Sequence, residues 1–411
     1  MSVISNLFSI QKRIYLDHAS STPISRAALS AYVNASKEYP GNPSGLHKES
    51  IAAKEVLENA RESVARLIGG RPTEIVFTSG GTESDSLAIR GVLNGYFSEN
   101  IIIPHMIMSA IEHPAVRETM RRLKKEGKIE LSEISVDAQG IIDLSELKKE
   151  LRPETILVSV MYANNEIGTI QPIAEIIKII RHYKKHSSDY KLQTMNYPLF
   201  HTDAAQAMNY VTFDMAKPGI DLLSCNGSKI YGPQGVGMLY VRTGTPIDSV
   251  IQGGGQENGI RPGTEPVALI VSFACALKEV TQKLKSETDR LIVLRDEGIK
   301  ILEKIEKISI NGDRVNRLPN NISFSVDGIS SEQIALELDA KGIAVSTKSA
   351  CKTTDEEDSY VLLAISKNED DVCRNYGAIR LTMGRDTKLS DIEKVGRIVS
   401  QVIQKQAPFL K

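Results

Sequence analysis

Between about residues 70 and 245, short β-branched runs alternate with stretches whose apolar positions recur at helical spacing. The runs 75–78, 106–109, 156–162, 199–202, 222–225 and 236–241 read as strands. After Pro172, apolar side chains at Ile173, Ile176, Ile177, Ile180 and Tyr183 fall on one face of a helix. Strands alternating with helices predict βαβ units and a mainly parallel sheet covered on both faces. Ligands in such sheets collect at the carboxyl ends of the strands. A glycine-dense stretch from Gly253 to Gly263 is too irregular for either element. A helical pattern then runs from about 266 to 304 and links two domains. The remainder predicts a smaller α+β unit: strand near 321–326, helix 331–341, strands 343–346 and 378–382, helix 390–406. Ser390-Asp-Ile-Glu393 is a capping-box pattern for that last helix. The polar residues 186–198 read as a surface excursion. The expected organisation is an N-terminal segment over 1–22 that packs with the small domain, a large domain over 23–272 and a small C-terminal domain over 273–411.

Composition narrows the classes of function. Of 411 residues, 41% are apolar and 25% charged, and 50 basic against 51 acidic side chains leave a formal charge of −1. A nucleic-acid binder carries a basic excess, so this balance argues against direct nucleic-acid contact. The most apolar stretch, 267–277, is too short to span a bilayer. The N-terminus lacks the order of a signal peptide. Cys225, Cys275, Cys351 and Cys373 show no paired spacing, which predicts reduced thiols in a cytoplasm.

Three segments carry candidate chemistry. Residues 75–84 (IVFTSGGTES) read as strand, Gly-rich turn and helix start, where backbone N–H groups can hold a phosphate. The plainer reading is a tight βα turn. Asp203 follows an apolar run, as either an N-cap or a carboxylate for a protonated ring nitrogen. Lys229 stands in the Gly-rich turn of 225–233 (CNGSKIYGP), as a surface lysine or as an amine that condenses with an aldehyde. A phosphate cradle, a strand-end acid and a lysine are together the three anchors that pyridoxal phosphate requires. His182 and His186 lie four apart, but their setting reads as a solvated basic helix end rather than a metal site.

With those anchors in place, the chain resembles the cysteine desulfurases, pyridoxal-phosphate enzymes of the class V aminotransferase family (fold type I). The resemblance runs from Ile14-Tyr-Leu-Asp17 to the final helix. It includes Gly41-Asn-Pro-Ser44, Thr78 to Ser84, Glu112-His113, Asn164-Asn-Glu-Ile-Gly168, Asp203-Ala-Ala-Gln206, Lys229 to Pro233, Gly253-Gly-Gly-Gln256, Arg261-Pro-Gly-Thr264, Ser349-Ala-Cys351 and Ile379-Arg380. It implies an α/β fold with a large cofactor domain and a smaller α+β domain. By resemblance, Lys229 is the Schiff-base lysine and the base for the α-proton, and His113 stacks on the ring and shuttles protons. Asp203 pairs with the ring nitrogen, and Gln206 and Asn165 bond the ring hydroxyl. Gly81, Thr82, Asn226 and Ser228 lie at the phosphate, joined by Thr264 from a second subunit of a homodimer. Arg380, Asn42 and Asn165 face the L-cysteine substrate, with Arg380 clamping its carboxylate. Cys351 attacks the substrate sulfur, leaving alanine and an enzyme persulfide for a protein acceptor in iron–sulfur assembly or tRNA thiolation.

The surroundings of Cys351 suit that role. Residues 347–358 (TKSACKTTDEED) are polar, and Lys348 and Lys352 favour a thiolate. The chain also departs from the family. Ser228 stands where His usually precedes the lysine, and Asn226 where Ser is usual. No imidazole remains there to meet a phosphate. Asn258, Pro262 and Lys348 replace a common arginine, serine and glycine. A transaminase, a selenocysteine lyase and a non-catalytic homologue are the other readings.

Overall fold

The structure is a computed structural model and describes residues 13–98, 102–186, 197–347, 359–366 and 377–406. Its elements in chain order are β1 (Ile14–Tyr15), α1 (Arg26–Glu38), α2 (Lys48–Ile68), β2 (Ile75–Thr78), α3 (Gly81–Phe97), β3 (His105–Ser109), α4 (Pro114–Lys125), β4 (Glu130–Ile134) and α5 (Leu144–Glu150). There follow β5 (Thr155–Ser159), α6 (Ile173–His186), β6 (Leu199–Asp203), β7 (Leu222–Asn226), β8 (Gly237–Val241) and α7 (Val267–Glu303). The chain continues with β9 (Ile308–Ile310), β10 (Asn321–Val326), α8 (Ser331–Ala340), β11 (Ile343–Ala344), α9 (Tyr360–Ile365), β12 (Ile379–Thr382) and α10 (Leu389–Gln406).

These elements divide into two compact units. The larger comprises Thr22–Asn164 and Thr169–Lys285, and the smaller the stretch up to Ser21, Asn165–Gly168 and Ser286 onward. In the larger unit seven strands form one sheet in the order β2-β8-β7-β6-β5-β3-β4. Neighbours from β7 to β4 pair in parallel, and β8 alone runs against both of its neighbours. Strands β2, β3, β5, β6 and β8 are buried along their whole length, which is why they read as continuous apolar runs. Side chains of α3 (Leu87, Ile89, Val92, Tyr96) and α4 (Val116, Met120, Leu123) share a core with Val76, Met106, Met108, Leu157 and Leu239. Burial of large aliphatic side chains stabilises such a core by about 1.5–3 kcal/mol each.

In the smaller unit β12, β10 and β9 form an antiparallel sheet, and β1 pairs in parallel with β11. The arrangement of sheets and helices agrees with the expected fold class. Several expectations about elements need correction. The pattern at 156–162 is strand only to Ser159, although the Val160 and Tyr162 N–H groups still donate to His201 and Asp203. Strand β4 has the partly exposed sequence ELSEI at a sheet edge, so it lacked the apolar run that marked the others. Helix α10 begins at Leu389, which places Ser390 inside the first turn. The return bond comes instead from the Lys388 N–H to Asp391 Oδ2 at 2.9 Å. Most of the 186–198 excursion, residues 187–196, lies outside the described residues.

Candidate active site

The carboxyl ends of β2, β6 and β7 carry the three segments singled out in the sequence. Strand β2 ends at Thr78, and α3 starts two residues later at Gly81 with Gly80 as its N-cap. Gly80 supplies no side-chain cap, so the first amides of this 17-residue helix are available to an anion. Across the turn, a Cβ on Gly237 of β8 would lie 2.7 Å from the Cys225 carbonyl and 2.8 Å from the Gly80 backbone. Only glycine permits that approach of strand to turn. Asn226, at the end of β7, brings its Nδ2 within 3.1 Å of where a Gly81 Cβ would stand, and the Ser228 hydroxyl donates to Asn226 Oδ1 at 3.4 Å. Gly81, Asn226 and Ser228 thus border one polar turn, with Thr82 exposed beside them. Arg261 pairs with Glu83 at 2.8 Å and pins the Gly-rich segment against this helix start, while Thr264 stands exposed after it.

Asp203 ends β6. Its Oδ1 accepts the Ala205 N–H at 2.8 Å, and the residue is 9% exposed. Burial raises its carboxyl above the ordinary aspartate range, while His113, the Ala205 N–H and Lys229 pull it back. His113 is the N-cap of α4, and its Nδ1 accepts the Ala115 N–H at 3.1 Å, which places any ring proton on Nε2. Burial lowers its imidazole first, Asp203 raises it and Lys229 lowers it. Lys229 lies in the single 3-10 turn Gly227–Lys229 and is half-buried. The Asn209 amide donates to its carbonyl at 2.5 Å. Gln206 sits half-buried in the turn just after Asp203. A Gly-rich turn at a helix start and a buried carboxyl facing both His113 and the half-buried Lys229 fit pyridoxal phosphate, which presents a phosphate, a basic ring nitrogen and an aldehyde.

Other predicted residues are placed differently. Arg380 belongs to the smaller unit, where it donates to the Asn165 carbonyl (3.0 Å), to Asp17 Oδ1 (2.8 Å) and to Ser20 Oγ (2.7 Å). Asn165 is in the same unit and 8% exposed. Asn42 is exposed, and its Oδ1 closes its own turn by accepting the Ser44 N–H at 2.9 Å. Cys351 and Cys373 lie outside the described residues. His186 Nδ1 hydrogen-bonds the His182 carbonyl at 2.8 Å, and the two rings lie 4.1 Å apart.

Two buried acids were missed as functional candidates. Asp85 is 1% exposed on α3, with its carboxyl close to Asp203 and His113. A signal was present: Asp85 heads the stripe Ala88, Ile89, Val92 and Tyr96 on the apolar face of the helix. Glu112 is fully buried, and its Oε1 accepts the Ser109 hydroxyl at 2.5 Å and the Met161 N–H at 2.8 Å. Burial pushes this carboxyl up to about 8, against those two hydrogen bonds. The folded state therefore holds a proton on Glu112 that the unfolded chain releases near 4.5. Stability from this group is fully present below about 4.5 and is lost as the pH rises to about 8. Glu112→Gln keeps the acceptor oxygen and abolishes the titration. Urea denaturation at a series of pH values is expected to show the parent losing stability relative to this variant across that window, and parallel curves would contradict it.

A family model described as aminotransferase class-V matches residues 14–395. The "Cysteine desulfurase IscS" of Dictyoglomus turgidum is 41% identical over 397 residues, 96% of each chain. That of Methanosarcina thermophila is 38% identical over 97% of this chain and 94% of its own. Among solved structures, a "NifS-like protein" superposes with a TM-score of 0.85 at 31% identity, over 96% of this chain and 100% of that one. "SspA in complex with cysteine" gives 0.74 at 31% identity, over 90% and 98%. With the family model spanning residues 14–395 and relatives 38–41% identical over nearly the whole length, the chain belongs to the aminotransferase class-V family.

Proposed function

We propose that this chain is a pyridoxal-phosphate-dependent cysteine desulfurase, converting L-cysteine and its own Cys351 thiol to L-alanine and a Cys351 persulfide. The observation that carries the reading is the buried Asp203 carboxyl facing both His113 and Lys229. The desulfurase names of its relatives and the cysteine in one structural neighbour support the choice of substrate. Gly81, Thr82, Asn226 and Ser228 hold the phosphate, and Gln206 and Asn165 take the ring hydroxyl. Bound there, the cofactor supplies an electron sink for the bond-breaking at the substrate's α- and β-carbons.

Asp203 keeps a proton on the ring nitrogen by Coulomb attraction in a dry setting. Lys229 takes the α-proton, for which its partial burial beside His113 is suited. His113, whose Nδ1 is tied to the Ala115 N–H, holds or moves a proton at Nε2. Arg380 offers a guanidinium fork to a carboxylate, and its place among Asp17, Ser20 and the Asn165 carbonyl fixes its orientation. Asn42 is a further substrate contact. Cys351 attacks the substrate sulfur as a thiolate, and that sulfur passes to a protein acceptor of iron–sulfur cluster assembly or of tRNA thiolation.

Among the described residues no helix is long and apolar enough to cross a membrane, and we place the enzyme in the cytoplasm, where thiols stay reduced. A homodimer with Thr264 completing the partner's phosphate site is the assembly we propose. Exposed Leu29, Tyr32 and Val33 on α1, with Leu46 and Ile51, support a covered apolar surface on the larger unit. The test supplies L-cysteine, cofactor and a thiol reductant to the parent and to Cys351→Ala. Alanine and sulfide are expected from the parent, with sulfide near background from the variant while its cofactor absorbance is retained. Equal sulfide from both would sink the persulfide route.

A further inference from the structure

A second buried acid, Asp85, lies close to Asp203. The carboxyl oxygens of Asp85 and Asp203 and a ring nitrogen of His113 all lie within 4.8 Å of one another. Asp85 is 1% exposed, and its Oδ1 has no hydrogen-bond partner among the described residues. Two carboxyls this close, with water excluded, do not both ionise near neutral pH.

The neighbouring groups decide which one keeps the proton. Asp203 faces His113 and Lys229, both of which lower its carboxyl, and accepts the Ala205 N–H. Cys225, on β7, also faces Asp203, but burial raises its thiol and keeps it neutral. Asp85 faces Asp203 and a further acid, Glu112, and its hydrogen-bonding neighbour is the neutral Ser224 hydroxyl of β7. His201 Nε2 stands 3.6 Å from Asp85 Oδ1 but brings no charge, since full burial pushes that imidazole down to about 3. Both His201 nitrogens are already engaged, Nδ1 with Ser159 Oγ at 2.8 Å and Nε2 with Ser224 Oγ at 3.0 Å.

The geometry points to Asp85 as a positioning residue that stores one proton beside the ring acid. It stays a neutral carboxylic acid in the working enzyme and so confines the negative charge to Asp203. The polar chain running away from the site accommodates that proton without an unsatisfied partner. The Asp85 O–H donates to Ser224 Oγ, the Ser224 O–H to His201 Nε2, and the His201 Nδ1–H to Ser159 Oγ. Were Asp85 ionised as well, a second negative charge would bind the ring-nitrogen proton and the Lys229 ammonium more tightly, and Lys229 would be the poorer base. The consequence for catalysis rests on the reading of Asp203 as the ring acid, whereas the protonation state of Asp85 does not.

Infrared difference spectra of the cofactor-loaded parent against Asp85→Asn at pH 7 test the inference directly. The expected result is loss of one protonated-carboxyl C=O band, with the visible cofactor band unmoved and the cofactor Kd changed by less than about threefold. Loss of an ionised-carboxylate band instead, or a Kd weakened more than about tenfold, would overturn it. If Asp85→Asn does not fold, Ser224→Ala serves, because it removes the hydroxyl that accepts the Asp85 O–H. The protonated-carboxyl band should then shift in frequency between the parent and this variant, because the O–H has lost its acceptor, and an unmoved band counts against the proposal. Absence of any cofactor band in the parent is a separate result. It would refute the cofactor reading while leaving the infrared comparison of the two apo-proteins decisive for Asp85.

Discussion

Lys229→Ala is expected to lower L-cysteine turnover by about 10²–10⁴-fold or more, the range lost when a positioned general base is removed. The lysine is held by its backbone, in the Gly227–Lys229 turn with the Asn209 amide on its carbonyl, so truncating the side chain leaves the turn in place. Two further effects follow from the electrostatics. The ammonium lowers both the Asp203 carboxyl and the His113 imidazole, so its loss lets both groups rise. The amine that condenses with the cofactor aldehyde is lost too, so borohydride treatment should label the parent at the Lys229 peptide and leave the variant unlabelled. Lys229→Arg separates the contributions, because it keeps the positive charge but cannot form the covalent link. Turnover within tenfold of the parent for Lys229→Ala would remove this residue from the mechanism.

The largest stability effect is expected at the buried pair beneath the Gly-rich segment. Arg61 and Glu257 form two parallel bonds of 2.7 and 2.8 Å, with side-chain exposures of 7% and 1%. Glu257 Oε2 also accepts the Phe77 N–H at 2.9 Å, Arg61 donates to the Ile75 carbonyl at 2.8 Å, and its guanidinium lies 4.9 Å from the centre of the Phe77 ring. Glu257→Ala leaves the buried guanidinium with only the half-exposed Glu58 carboxylate, 3.1 Å from its Nε, and strands the Phe77 N–H. Urea denaturation is expected to show a loss of about 3–5 kcal/mol, and a loss under about 1 kcal/mol would refute this account. Converting both partners to apolar side chains of similar volume, Arg61→Met with Glu257→Leu, should recover much of the loss, because no lone buried charge then remains. The pair ties α2 and β2 to the segment that carries Thr264, so its integrity also bears on the proposed shared phosphate site.

Legibility differed from element to element for physical reasons. The central strands were visible because burial on both faces demands apolar runs, and α6 because a helix with one covered face repeats its apolar side chains at helical spacing. Strand β4 hid because an edge strand tolerates exposed polar residues. The start of α10 was displaced because Asp391, one residue after the expected cap, is the side chain whose carboxylate reaches back to the Lys388 N–H. Asp203 and Lys229 stand out in the sequence because a charged group just past an apolar run is a local signal. Asp85 was passed over although it broke an apolar helix face, since nothing in the linear order pairs it with Asp203 more than a hundred residues away. Asn42 was readable as part of a motif, but its amide oxygen is bound to its own Ser44 N–H.

The sequence by itself determined the alternation of strand and helix, the Gly-rich turn, the acid and the lysine beside the strand ends, and the family, because each depends on periodicity or on residues adjacent in the chain. Tertiary structure alone decided that β8 runs antiparallel among parallel neighbours, that Gly237 must lack a side chain where it meets Gly80, and that Asp85, Asp203 and His113 converge from three separate elements. It also decided the state of the titratable groups. Desolvation and Coulomb coupling depend on distance through space, so no spacing along the chain could have disclosed that Glu112 is raised toward neutrality while His201 is held uncharged.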